Sequence, residues 1–95
     1  MKLLTKKLEA KLPPLYSQED NPDPMCIIKF FDPWSRWTWY GIEYDPKDKL
    51  FFGYVIGIEN ELGYFSLDEL KSLRRIERDM YFDPTPLSTI MARGY

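Results

Sequence analysis

The first apolar pattern along the chain is helical. Leu4, Leu8 and Leu12, with Leu15 one step further, recur on one face, and the neighbouring lysines lie mostly off that stripe. Thr5 stands where an N-cap belongs, so a short helix is predicted over residues 6–12. Pro13-Pro14 ends it, because proline removes an amide donor and restricts the residue before it. Residues 16–24 form a polar loop. The period then changes. Met25–Phe31 is apolar at nearly every position, the pattern of a strand covered on both faces. After the turn residues Asp32–Ser35, the stretch Trp37–Tyr44 alternates. Trp37, Trp39, Gly41 and Glu43 face one way, and Thr38, Tyr40, Ile42 and Tyr44 the other. Asp45–Asp48 turns the chain, with Pro46 preset for it, into a third strand at Leu50–Gly57. The second and third strands form an antiparallel hairpin.

The turn Glu59-Asn60-Glu61 leads to a short strand at Leu62–Phe65. Ser66-Leu67-Asp68-Glu69 is a capping box at the start of a helix whose buried stripe is Leu67, Leu70 and Leu73. Ile76–Phe82 alternates as a half-solvated edge strand. Asp83-Pro84 breaks it, and Thr85-Pro86 then supplies a cap and a first-turn proline for a last helix over about 86–92. The class is α+β: a single antiparallel sheet of four or five strands with short flanking helices.

Composition sharpens this picture. Ninety-five residues make one domain and bury a modest share of their surface. Sixteen aromatic side chains offset that, because each can bury roughly 150–250 Å². Many lie together: Phe30, Phe31, Trp34, Trp37, Trp39, Tyr40 and Tyr44, then Phe51, Phe52 and Tyr54. The chain has no histidine and one cysteine, Cys26, so an internal disulfide and the usual structural zinc site are excluded. No cofactor is expected. The N-terminus lacks an apolar run of signal-peptide length and no stretch is long enough to span a membrane, so a cytoplasmic location is expected. Net charge is −2, divided between +3 over residues 1–12 and −5 over residues 13–95. A mildly acidic body disfavours duplex DNA, whose binding is dominated by phosphate neutralisation.

The stretches Leu12–Tyr16, Lys29–Tyr40, Glu43–Pro46, Leu50–Gly57, Glu61–Leu70, Ile76–Asp79 and Pro84–Ser88 together resemble an uncharacterised bacterial family, domain of unknown function 2958. They run in order along nearly the whole chain. The family pattern has a longer connection before Ile76-Glu77-Arg78-Asp79; here Leu73-Arg74-Arg75 leads almost directly into it. The resemblance implies kinship with proteins of plasmids and phages, and brings no catalytic residues.

Several side-chain groups carry candidate chemistry. Trp34, Arg36, Trp37 and Trp39 combine aromatic faces with a cation, as single-strand binders do. Lys49–Val55 weakly resembles the aromatic strand of an RNA-recognition motif, without its first glycine. The simpler reading makes these aromatics core. Glu59, Glu61, Asp68 and Glu69 could form an acidic patch around one end of the sheet, suited to steering a basic partner; the simpler reading is a solvated turn and an ordinary helix start. Lys71, Arg74, Arg75 and Arg78 could hold an anion, or close a helix end. Ser66 has no histidine to activate it and reads as a cap. Cys26 reads as a buried small hydrophobe. The expected function is therefore non-enzymatic: binding of a host protein or complex by a mobile-element accessory, including the anti-CRISPR kind of counter-defence inhibitor, through Trp34, Arg36, Glu59, Glu61 and Asp68. The alternative is a single-stranded nucleic-acid module using the Trp34–Trp39 surface.

Overall fold

Thr5 caps the first helix as its position requires: its hydroxyl accepts from the Leu8 amide at 3.2 Å. The structure, a computed structural model, describes residues 1–93. Helix α1 (Lys6–Glu9) is a single turn, shorter than predicted. Leu4 and Leu12 of its stripe are buried, and Leu8 packs partly buried against the same cluster.

The apolar run at 25–31 divides at Ile27 into β1 (Met25–Cys26) and β2 (Ile28–Phe31). The strands β3 (Thr38–Asp45), β4 (Leu50–Ile56) and β5 (Asn60–Ser66) follow as a meander. Helix α2 (Leu67–Ser72) starts at Ser66, whose hydroxyl accepts from the Glu69 amide at 3.2 Å. The last elements are β6 (Glu77–Arg78), β7 (Thr85–Pro86) and α3 (Leu87–Arg93). The α+β class holds. The main sheet is antiparallel in the order β5-β4-β3-β2-β6, and β1 and β7 add a separate two-stranded ribbon.

Three local expectations change. The edge strand predicted over 76–82 is only Glu77–Arg78, because the Asp79 carboxylate accepts the Tyr81 amide at 3.0 Å and turns the chain. Leu73 is exposed rather than buried. It is the C-cap of α2, Arg74 takes a positive φ of 62°, and the reversal delivers Ile76 to the core instead. Thr85-Pro86 belongs to the ribbon, so α3 begins at Leu87. Its cap comes from across the fold: Asp23 accepts the Ser88 amide at 2.8 Å and the Ser88 hydroxyl at 2.6 Å.

The sheet is covered on both faces. Leu3, Leu4, Phe30, Trp39, Phe51, Phe65 and Leu70 form one apolar layer beneath the N-terminal segment and α2. Cys26, Tyr40, Ile42, Tyr54, Leu87 and Ile90 form the other, beneath α3. Most of the aromatic block is thus core, as the simpler reading required.

Candidate functional site

The β2–β3 and β4–β5 connections lie at the same end of the meander, and here the sequence-predicted residues Trp34, Arg36 and Glu59 are found. Asp32 organises this end. Its buried carboxylate accepts the Trp34 amide at 2.9 Å and the Ser35 hydroxyl at 3.0 Å. Arg75, arriving from the C-terminal side of α2, places Nε 2.9 Å from the second Asp32 oxygen. Burial works against the Asp32 anion, but the Trp34 amide, Arg75 and Ser35 outweigh it and hold the carboxyl below its ordinary pKa. The same guanidinium lies 5.6 Å from the centre of the Trp34 ring. Trp34 is nevertheless 81% exposed. It lines a shallow depression with Met1, Pro33, Arg74 and Arg75.

The other two tryptophans have a different role. Trp37 and Trp39 stack with ring centres 5.8 Å apart, and Trp39 is buried. The Trp37 ring lies over Gly57, where a Cβ would fall 2.3 Å from it, so glycine leaves the room the ring takes up. Arg36 is exposed in the same turn as Trp34.

The acidic residues do not assemble into one patch. Glu59 and Glu61 are exposed at the Trp34 end, in and just after the β4–β5 turn. Asp68 sits in the first turn of α2 at the far end of β5, 3.9 Å from Lys49. The length of β5, about 20 Å at the usual rise per residue, separates the two groups. The arginine cluster divides as well: Arg75 serves Asp32, while Arg78 donates to the Leu3 carbonyl at 3.1 Å.

Sequence reasoning missed a second site. A β-bulge between Gly41 and Glu43 inserts Ile42 as an unpaired residue, since Gly41 pairs with Gly53 but Glu43 with Phe52. Beyond it the alternation reverses: Tyr44 joins the Trp39 layer, and Glu43 leaves the Trp39 face assigned to it by simple alternation. Glycines inside two adjacent strands, Gly41 and Gly53, were the available signal. The bulge sends the Glu43 side chain, 4% exposed, under the 16–24 loop. One of its oxygens accepts the Tyr16 amide at 3.0 Å and the other the Gln18 amide at 2.8 Å. Tyr16 is held there at a φ of 70°. Beside Glu43 lies a cavity of about 300 Å³ walled by Tyr16, Phe52, Leu62 and Tyr64, with Glu19 also on its lining. The Tyr64 hydroxyl is pushed above its ordinary pKa by desolvation, by hydrogen bonding and charge interaction with Tyr16, and by the Glu43 and Glu19 carboxylates.

Cys26 lies in the interior, and burial together with Asp23 pushes its thiol up to about 12, far from a reactive thiolate. Among the described residues no three His, Cys, Asp or Glu side chains converge as a metal site. Among them, too, no helix is long and apolar enough to cross a membrane.

Comparison with known proteins adds one relationship. The model of a family described as "Protein of unknown function (DUF2958)" matches residues 3–93. No curated protein and no solved structure matches. The match runs from the buried Leu3 through the last helix, and so includes both the Trp34 end and the Glu43 cavity; the chain belongs to the DUF2958 family of proteins of unknown function.

Proposed function

We propose that this protein is a non-enzymatic interaction module that binds a protein partner through the Trp34 end of its sheet. One observation carries the reading: Trp34 is held by Asp32 and Arg75 yet remains 81% exposed. At that exposure the ring adds little apolar burial to the fold. An exposed tryptophan beside arginine is the composition of an interface hot spot, and a turn already fixed at its backbone removes part of the cost of association. Ile58, in the β4–β5 turn at the same end of the sheet, is 93% exposed, and Glu59 and Glu61 follow it in the chain. The finer reading is a mobile-element accessory that inhibits a host defence complex in the anti-CRISPR manner, in the cytoplasm. It rests on small size, on the absence of histidine from the chain and on the family resemblance.

A second reading, single-stranded nucleic-acid binding, is favoured by Arg36, Arg74 and Arg75 around the same indole. One set of measurements separates the two. Trp34→Ala should leave stability within about 0.5 kcal/mol of the parent, because the ring is exposed. It should abolish capture of the partner from host lysate, while Glu59→Lys with Glu61→Lys slows association to the same partner. Tryptophan fluorescence should not respond to a single-stranded oligonucleotide at low salt. Strong, salt-sensitive quenching that Trp34→Ala removes would overturn the protein-partner reading in favour of the second.

A further inference from the structure

We propose that the Glu43 cavity is a binding site for an organic cation: an alkylammonium or guanidinium group on an apolar stem. The site lies toward the opposite end of β3 from Trp34 and is independent of the function proposed above. Three observations converge on it. First, the cavity of about 300 Å³ is at the lower end of the range of small-ligand sites, and much of its wall is apolar. Second, its charge is of one sign. Glu43 and Glu19 line it, and no lysine or arginine does. The ion pairs among the described residues are Lys29–Asp79, Lys49–Asp68 and Arg75–Asp32, so the buried Glu43 has no cationic partner. Each Glu43 oxygen accepts one neutral backbone amide, and a carboxylate offers about four acceptor positions in all. Third, Tyr16, Phe52 and Tyr64 supply aromatic faces beside that carboxylate, the combination that attracts cations.

The alternative role for Glu43 is a staple for the 16–24 loop, which its two amide contacts do provide. A staple requires neither an adjoining cavity nor a second carboxylate on its wall. It also makes no use of the Tyr16 ring, which stands largely in solvent at the edge of the cavity. A cationic ligand uses all three: its stem covers Leu62 and Phe52, its charge meets Glu43 and Glu19, and Tyr16 and Tyr64 flank it.

The test is a titration of the full chain followed by amide NMR, with n-hexylamine and agmatine as free cations and n-hexanol as the uncharged control. The expected result is saturable shifts at Tyr16, Gln18 and Tyr64 with both cations, and about tenfold or more weaker binding of hexanol, given the strength of cation–π and charge contacts. Glu43→Gln should weaken the cations similarly. Because that change also loosens the loop, Glu19→Gln and Tyr64→Leu are the decisive variants. Neither side chain takes part in the two amide contacts, and each change should weaken binding about three- to tenfold. A blocked Gly-Arg-Gly peptide that saturates the same amides more tightly than agmatine assigns the cation to a polypeptide side chain; the reverse order assigns it to a free small molecule. Absence of saturable shifts, hexanol binding as well as hexylamine, or parental affinity in both decisive variants would each overturn the proposal.

Discussion

Asp32 holds more of the Trp34 end in place than any other side chain. It fixes the turn through the Trp34 amide and the Ser35 hydroxyl and positions Arg75 beneath the indole. Its pKa is lower in the folded protein than in the unfolded chain, so the unfolded state binds the proton more readily. The stabilisation is therefore complete above the ordinary carboxylate range and is lost as pH falls through the folded value. Asp23, held low by Ser88 at the start of α3, acts with the same sign. Urea unfolding followed from neutral pH to below about pH 4 should show falling stability, with a shallower acid limb in Asp32→Asn. An unchanged limb in that variant would mean that Asp32 does not carry this pH dependence.

At the scale of elements, the bulge in β3 decides which side chains reach the cavity. It requires close backbone approach: a Cβ on Gly53 would lie 1.7 Å from the Tyr40 carbonyl oxygen, and backbone cannot yield as a side-chain tip can. Gly63, opposite Gly53 on β5, has no atom within 4 Å of its hypothetical Cβ. Alanine should consequently have opposite effects at two glycines that face each other. Gly53→Ala should cost about 3 kcal/mol or prevent folding, at the upper end of overpacking effects. Gly63→Ala should be neutral or stabilising by up to about 1 kcal/mol, through a less flexible unfolded chain. Thermal unfolding of the pair checks this, and equal destabilisation would show that the bulge does not constrain Gly53.

Across the whole molecule, one sheet separates two apolar layers, one built largely from the N-terminal segment and α2 and the other closed by α3. Ile76 lies in the first and Ile90 in the second. Each change to valine should cost about 0.5–1.5 kcal/mol. With the sheet between them and no shared cluster, the double variant should be additive to within about 0.5 kcal/mol in denaturant titrations. Larger coupling would mean that the layers adjust to each other through the strands.

Much of the architecture was legible because its causes are local. The Thr5 and Ser66 caps, the Asp-Pro turns and the antiparallel meander from Trp37 to Phe65 follow from side-chain reach and alternation, and the α+β class follows from them. Trp34 could be singled out because a turn residue has little sheet around it to bury it. Tertiary structure decided what depended on distant partners. Asp23 caps a helix 65 residues away in sequence, so Thr85 did not. The reversal at Arg74 gave the core Ile76 in place of Leu73. The acidic residues read as one patch were separated by the length of β5, which spacing along the chain does not encode. Glu43 depended most on the fold. Period-two alternation assigned it to the Trp39 face, and one unpaired residue sent it beneath a loop whose amides it binds. A bulge is set by how closely two backbones approach, and that is fixed only when both strands are in place.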